Sequence, residues 1–326
     1  MGISNLSSIS LTQNSFSRNE LLALIPSTPE SSLFNYLNNG LNQGLTKNQL
    51  LSASRYLEYI QSQGWSTYTS GGIYYAYKQF LGSQNNLNFN LFAGNPIKVL
   101  IVAGGGGGGG SYRAGGGGAG GLIYSESVTV LPNQTYNIVV GSGGPPGPAN
   151  TSGGIVNGSN GGDSSAFGLT AFGGGGGGSS DSSQSGGSGG SGGGGWYNGT
   201  FGNGTSGQGN RGGSPSTTAP YGSGGGGAGA VGGNAQGGQA GGNGLQYNLI
   251  GNATYYAGGG SSSDFTTNSG RPGGLGGGGT GYNSGTNTSN ANGTINTGGG
   301  GGAGGSGGSG IVIINFTFNI PASFGA

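Results

Sequence analysis

Seven consecutive glycines, Gly104 to Gly110, directly follow the apolar stretch at residues 97–103, and this junction constrains the fold more than any other feature of the chain. A second apolar run at residues 311–318 again adjoins glycines, here from Gly307 to Gly310. β-Branched and aromatic residues flanked by glycine are typical of strands. We therefore predict that the two runs form one small β base, from which the glycine-rich segments loop out and return.

Between these runs, glycine is too frequent for an ordinary domain. Only 8 of the 90 glycines precede residue 97, which leaves 82 in the last 230 positions, whereas typical proteins contain about 7% glycine. The 11 prolines are scattered and follow no Gly-X-Y register, which excludes collagen. The net charge is only +1, unlike the high charge of most disordered chains. Such a chain either stays a flexible coil or packs backbone against backbone.

A polyproline-II helix offers a way to order these tracts. It has about three residues per turn and no internal hydrogen bonds, so its N–H and C=O groups are available to neighbouring helices. Close approach of the backbones then requires glycine at the inward positions, which the tract at residues 186–195 supplies. We predict a bundle of such polyglycine-II helices, in which positions such as Gly176 and Gly193 have no room for a β-branched side chain.

The first 90 residues have a different pattern. Helix start signals at Ser17, Thr28 and Thr46 precede apolar residues at helical spacing over 17–25, 28–39 and 46–63, and a weaker segment covers 73–81. The predicted fold class is therefore a small α-helical N-terminal attachment domain, residues 1–90, followed by a β and polyglycine-II domain, residues 91–326. The apolar residues that we predict as assembly contacts are Leu50, Leu57, Ile60, Tyr74 and Phe80.

Further strands are predicted within the glycine-rich part. Residues 122–131 and 135–140 are joined by a turn at 132–134 that favours a hairpin, and residues 166–172 form one short strand. Aromatic residues interrupt the later glycine tracts, where they either contact a receptor or partner or close the ends of the bundle. The candidate contact residues are Trp196, Tyr197, Tyr221, Tyr255, Tyr256 and Tyr282.

Several classes of chemistry are not supported. The chain has no Cys and no His, and its 7 acidic residues are scattered, so we predict no catalytic, metal or cofactor site and no enzyme activity. A Gly-x-Gly-x-x-Gly match within Gly104–Gly110 is trivial in such a tract and lacks the helix that dinucleotide binding needs. The 8 basic residues form no cluster for nucleic acid, and no apolar run is long enough to span a membrane.

Four blocks of sequence together resemble the glycine-rich domain found in many bacteriophage tail and virion proteins and, more distantly, the glycine-rich ectodomain of certain receptor tyrosine kinases. The blocks lie within residues 97–316 and combine an apolar strand with a following glycine tract, a glycine-rich turn back into a strand, a strand pair, and a closing strand. They are residues 99–110, 114–123, 128–141 and 308–314. In the phage setting, the resemblance implies bundled polyglycine-II helices at the tips of tail fibres and a non-enzymatic structural or receptor-binding role.

From these features we expect a virion structural protein, a tail-fibre or spike component that presents a host receptor-binding surface. Its partners would be other virion proteins, through the N-terminal domain, and a host surface protein or glycan; self-association into a homo-oligomer is also compatible. The expected location is the surface of the extracellular particle. A minor capsid or cement protein is the alternative, and a glycine-rich extracellular matrix or wall protein is a third.

Overall fold

The computed structural model describes residues 56–89, 94–110, 114–148, 156–179, 185–218, 221–236, 239–262, 271–281 and 291–319. The chain divides into two compact units. The small unit comprises Met1–Lys78 together with Asn315–Ala326, and the glycine unit comprises Gln79–Ile314.

The regular elements of the described residues are mostly short strands. One helical segment, residues 56–62, precedes them. The strands are β1 (Ser66–Ser70), β2 (Ile73–Phe80), β3 (Gln84–Asn88), β4 (Pro96–Val102), β5 (Leu122–Thr129), β6 (Thr135–Ile138), β7 (Ser164–Ala166), β8 (Leu169–Ala171), β9 (Leu245–Tyr247), β10 (Thr254–Tyr256) and β11 (Ile311–Phe318).

The β base predicted from the two apolar runs is present. β11 lies beside β4, and β4 pairs antiparallel with β5, with Leu100 opposite Tyr124 and Val102 opposite Leu122. The β4 residues from Val99 onward are fully buried, because both faces of this sheet are covered. The β9–β10 segment covers one face of the sheet. There Tyr256 packs with Leu100, Val102 and other buried residues of the sheet in what we call the apolar cluster. β4 and β5 also contact the small β7–β8 hairpin.

The small unit contains a two-stranded hairpin beside the last strand of the chain. β1 pairs antiparallel with β2, and β2 neighbours β11 in the sheet. The helical segment contributes Leu57 and Ile60 to a buried core. Trp65 packs edge-to-face on Phe316 with 5.3 Å between ring centroids. The last residues of β11, from Asn315 onward, belong to the small unit.

The predicted fold class, with a helical domain over residues 1–90, is wrong. The segment 73–81, predicted as helix, is strand β2. Tyr75 and Tyr77, two residues apart, both contact Tyr68 of β1, as side chains on one face of a strand do. The preceding Gly71 and Gly72 have φ of +58° and +79°, the geometry of a tight two-residue hairpin turn. Residues 56–62 are helical, as predicted for the end of the third segment. The other predicted helices fall in residues 1–55, outside the described residues.

Two predictions for the glycine-rich part also need correction. Residues 166–172 do not form one strand, because Phe167 and Gly168 adopt φ of +53° and +80° and turn the chain into the β7–β8 hairpin. The turn at residues 132–134 exists, with Asn133 at φ +58°. However, it joins strands of different sheets, since β5 pairs with β4 while β6 pairs with β3. A turn signal alone does not specify which strand the chain pairs with next.

Candidate functional site in the glycine lattice

The N–H groups of residues 104–110 point in three directions that repeat at every third residue. Residues 104, 107 and 110 donate to one segment, 105 and 108 to a second, and 106 and 109 to a third, with N···O distances of 2.8–3.1 Å. A backbone with three residues per turn produces this pattern, whereas a strand would have a period of two. The acceptors are the carbonyl groups of Gly162, Ser159 and Val156, then Gly308 and Gly305, then Gly118 and Gly115.

The carbonyl groups of the same segment accept hydrogen bonds with the same period. The donors are Gly174 and Gly177, then Gly144 and Gly147, then Gly301 and Gly304. The segment is therefore bonded to six neighbouring stretches of chain, three through its donors and three through its acceptors. We call this array of mutually bonded three-residue turns the glycine lattice.

The lattice extends beyond its first segment. Residues 114–121 repeat the pattern, since the N–H groups of 115, 118 and 121 reach the carbonyls of Gly178, Gly175 and Phe172. Those of 116 and 119 reach Ser223 and Gly226. Because nearly every backbone group inside the lattice has a partner, the buried backbone carries little of the penalty that unpaired N–H and C=O groups incur.

The lattice requires glycine because its backbones touch. A Cβ atom added at Gly176 would overlap the carbonyl oxygen of Gly158, and one at Gly193 would overlap that of Gly176. The same overlap with a neighbouring backbone occurs at most glycines of the tracts. The side chains inside the lattice are therefore mostly no larger than those of Ala and Ser. Ala119 and Ser191 are examples.

The outer segment at residues 141–148 shows how the lattice ends. Gly141, Gly144 and Gly147 are buried at a period of three, and Gly144 and Gly147 donate inward to residues 105 and 108. Three of the remaining positions are prolines, Pro145, Pro146 and Pro148. Proline fixes φ near the value of this helix and has no N–H to leave unpaired. The composition of this segment therefore matches a lattice edge that faces outward on two sides.

A second edge is closed by side chains. The Oδ1 atoms of Asn157, Asn160 and Asp163 accept the N–H groups of residues 179, 176 and 173 at 2.8, 2.9 and 2.7 Å. The spacing of three residues matches one turn, so each side chain takes the place of a missing neighbour's carbonyl. We call these three residues the Asx ladder. Sequence reasoning missed it, although the run Asn157-Gly-Ser-Asn160-Gly-Gly-Asp163 shows the three-residue repeat.

The predicted contact aromatics do not form one surface. Trp196 and Tyr197 pack edge-to-face at 5.5 Å between ring centroids, and both are half-buried, as is Tyr221. Tyr255 is exposed, at 37% of its surface, whereas Tyr256 is buried in the apolar cluster. Tyr282 lies outside the described residues.

The predicted assembly residues are mostly interior. Leu57, Ile60 and Phe80 are buried, Tyr74 is half-buried beside Phe318, and Leu50 lies outside the described residues. Burial of the first three inside the protein means that attachment through residues 1–90 would use other side chains of that segment.

Two clefts lie on the outer surface of the lattice, which we call its rim. One, of about 420 Å³, is lined by Tyr124, Tyr247, Gln208 and Asn210 among others. Its amides are occupied by the lattice: Gln208 accepts from the Phe172 N–H and donates to Thr170 O, and the Asn210 amide donates to two carbonyls. The other cleft, of about 450 Å³, is lined by Asp163, Phe172 and Asn203 among others. Polar side chains thus converge at the rim rather than inside the lattice.

Features of metal-binding or membrane-spanning proteins are not found among the described residues. No group of three or more His, Cys, Asp and Glu side chains comes together there. Within the same residues, no helix has the length and apolar character that crossing a bilayer requires.

Comparison with protein families agrees with this architecture. A family model described as a glycine-rich domain matches residues 82–317, more than two thirds of the chain. The chain belongs to this family. The match begins just before β3 and ends within β11, so the glycine-rich domain includes both the lattice and the β base that it returns to. No curated protein matches the chain.

The buried Tyr256 and the half-buried Tyr247 limit the stability of the glycine-rich domain at alkaline pH. Burial raises the pKa of Tyr256 and of Tyr247 above the ordinary value of 10.0. The proton is therefore held more tightly in the folded state, so this stability is present below pH 10 and is lost as the pH rises through the folded pKa. We expect the guanidinium midpoint of unfolding to fall between pH 10 and 12, and to fall less in Tyr256→Phe. An identical decline in both proteins would contradict this assignment.

Proposed function

We propose that this chain is a non-enzymatic structural protein of a virion, a tail-fibre or spike component that presents a receptor-binding surface on the particle exterior. The observation that carries the proposal is the glycine lattice itself. Its interior is built from hydrogen-bonded backbone, so side-chain chemistry is confined to the rim. A rigid scaffold with variable side chains at its edges is a common arrangement for recognition.

The rim supports this role through its composition. Phe172 and Tyr255 are exposed, and the nearby polar groups are mostly neutral, since only 5% of the chain is charged. Neutral donors and acceptors beside exposed rings suit uncharged polar ligands better than nucleic acid, whose binding depends on Lys and Arg. Residues 1–90 are then the part that attaches to other virion proteins.

Competition for host cells tests the proposal. Cells incubated with micromolar full-length chain are expected to adsorb at least tenfold less of the virus that encodes it, because the free chain occupies the receptor. The control is the same concentration of chain that has been unfolded in guanidinium and is still unfolded when it is added to the cells, with the same final guanidinium concentration in both samples. Unchanged adsorption would overturn the receptor-binding role.

Antibody labelling separates the location from the role. Antibodies against the chain should label intact particles on the outside, as expected for an accessible fibre or spike. Labelling of disrupted particles only would favour the minor capsid or cement protein, whose glycine segments would be covered by neighbouring shell proteins. Absence of the chain from both preparations would contradict a virion location.

A further inference from the structure

The cleft beside Phe172 is lined in part by polar side-chain atoms that make no hydrogen bond within the described part of the chain. Its base is glycine backbone, where Gly189 and Gly204 form an isolated bridge. Phe172 lies at its edge with 44% of its surface exposed. We call this cleft the Phe172 groove.

Asp163 contributes a carboxylate that the lattice uses only in part. In the other two rungs of the Asx ladder, the amide Nδ2 atoms also donate, from Asn157 to Ser185 O and from Asn160 to Ser188 O. At the third rung, the corresponding carbonyl of Ser191 already accepts from the Gly175 N–H. Asp163 accepts the Gly173 N–H through Oδ1, and within the residues that the structure describes its second oxygen accepts no hydrogen bond.

The other groups of the groove supply complementary polarity. The Asn203 main-chain N–H donates to Ser188 Oγ at 3.1 Å, and the exposed Asn203 carboxamide makes no hydrogen bond to any described residue. A carboxamide offers both donors and an acceptor, and the Ser188 hydroxyl retains its hydrogen for donation. The groove therefore combines a carboxylate, a carboxamide, a hydroxyl and an exposed aromatic ring.

We propose that the Phe172 groove binds a neutral hexose or N-acetylhexosamine unit of a glycan. Sugar hydroxyl groups donate to the carboxylate and exchange hydrogen bonds with the carboxamide, while the C–H face of the pyranose packs on the phenyl ring. The volume of about 450 Å³ is within the usual range for small-ligand sites. This inference rests on the proposed receptor-binding function and names the ligand class.

The charge of Asp163 also defines what the groove rejects. Sialic acids, uronic acids and phosphorylated sugars would place a second negative charge near the exposed carboxylate, and two like charges at short range repel each other. The groove therefore discriminates by charge as well as by shape, which makes the prediction specific enough to test with monosaccharides.

Two substitutions test the groove without breaking the lattice. Asp163→Asn keeps an Oδ1 acceptor for Gly173, because Asn157 and Asn160 perform that task with amides. Phe172→Ala keeps the two main-chain bonds of residue 172, to Gln208 Oε1 and from Gly121 N–H. The control is Val156→Ala, an exposed apolar residue on the same segment as Asp163 but about 20 Å away at 3.1 Å per residue.

Binding is measured on the full-length protein by saturation-transfer NMR and calorimetry. The probes are the methyl glycosides of glucose, galactose, mannose and N-acetylglucosamine, with N-acetylneuraminic acid as the anionic comparison. We expect the wild type and Val156→Ala to bind at least one neutral glycoside, and both groove variants to bind it at least tenfold more weakly. The melting temperature of all variants should stay within about 2 °C of wild type.

The possible results separate the groove from the proposed function. The proposal that the groove binds a neutral sugar would be overturned if the wild type binds no neutral glycoside, or if both groove variants bind as well as the wild type. This holds even if the free chain still competes with virus for cells. Stronger binding of N-acetylneuraminic acid than of every neutral glycoside would overturn it as well. Loss of glycoside binding in both variants supports the groove, including the case in which competition for cells fails and the receptor-binding role must be abandoned.

Discussion

Gly176→Val is expected to abolish the cooperative unfolding transition of the glycine unit. The added Cβ would overlap the carbonyl oxygen of Gly158, and the two γ-methyl groups of valine require still more space. The neighbours on this side are backbone, which is unable to move aside as a flexible side chain does. Relief requires separating two segments and breaking their rows of hydrogen bonds. We estimate a loss of about 5 kcal/mol or more, which is comparable to the whole stability of many domains.

The control for this substitution is Gly82→Val. Gly82 also belongs to the glycine unit, but a Cβ there has nothing within 4 Å and the residue has no positive φ. Its free energy of unfolding, measured with guanidinium, should change by no more than about 0.5 kcal/mol. Gly193→Val should behave like Gly176→Val, since its Cβ overlaps the carbonyl oxygen of Gly176. Similar midpoints for Gly176→Val and Gly82→Val would contradict close backbone packing.

Amide hydrogen exchange is expected to show protection with a period of three. In the segment at residues 156–163, the N–H groups of 158, 159, 161 and 162 donate to neighbouring carbonyls. The N–H groups of Asn157 and Asn160 are not among the lattice donors. We expect the bonded amides to exchange about 10⁴-fold or more slowly than in an unfolded chain, because exchange there requires opening of the lattice. The amides of Asn157 and Asn160 should exchange near the unfolded rate.

The central segment provides the comparison. All seven amides of residues 104–110 donate hydrogen bonds, so protection there should be continuous. Residue-resolved NMR on the folded chain distinguishes the two patterns. Uniformly fast exchange in both segments would indicate a flexible glycine coil, and protection at alternate residues would indicate strands instead of the lattice.

The β base was the part of the fold most accessible from sequence. The runs at 97–103 and 311–318 are apolar at most positions, and a strand buried on both faces is the simplest structure that hides such a run. The prediction of a helix over the tyrosine-rich segment 73–81 is wrong because tyrosine fits either a helix or a strand, and only the Gly71-Gly72 turn before it indicates the strand. Turn geometry decides such ambiguous segments.

The candidate site was harder to predict, for a physical reason. The sequence predicts aromatic residues between the glycine tracts as contacts, yet Tyr256 fills the apolar cluster, while Phe172, outside that predicted set, is exposed. Exposure depends on which lattice edge a residue reaches, and that is set by long-range backbone pairing. The spacing of the Asx ladder is visible in the sequence, because its three-residue repeat equals the helical repeat. Its hydrogen-bond partners are not, because they lie 10 to 22 residues away along the chain.

The three-residue turn also governs how the length of this domain can change during evolution. Each segment forms hydrogen bonds with a given neighbour once per turn. One inserted or deleted residue therefore rotates all later glycines of the segment away from their partners. A change of three residues restores the direction of every later N–H and C=O group and lengthens or shortens the segment by one turn, about 9 Å. Length variation within segments should therefore accumulate in whole turns, while the connections between segments tolerate any number. Insertions and deletions within a segment are thus expected in multiples of three residues, the repeat of its backbone.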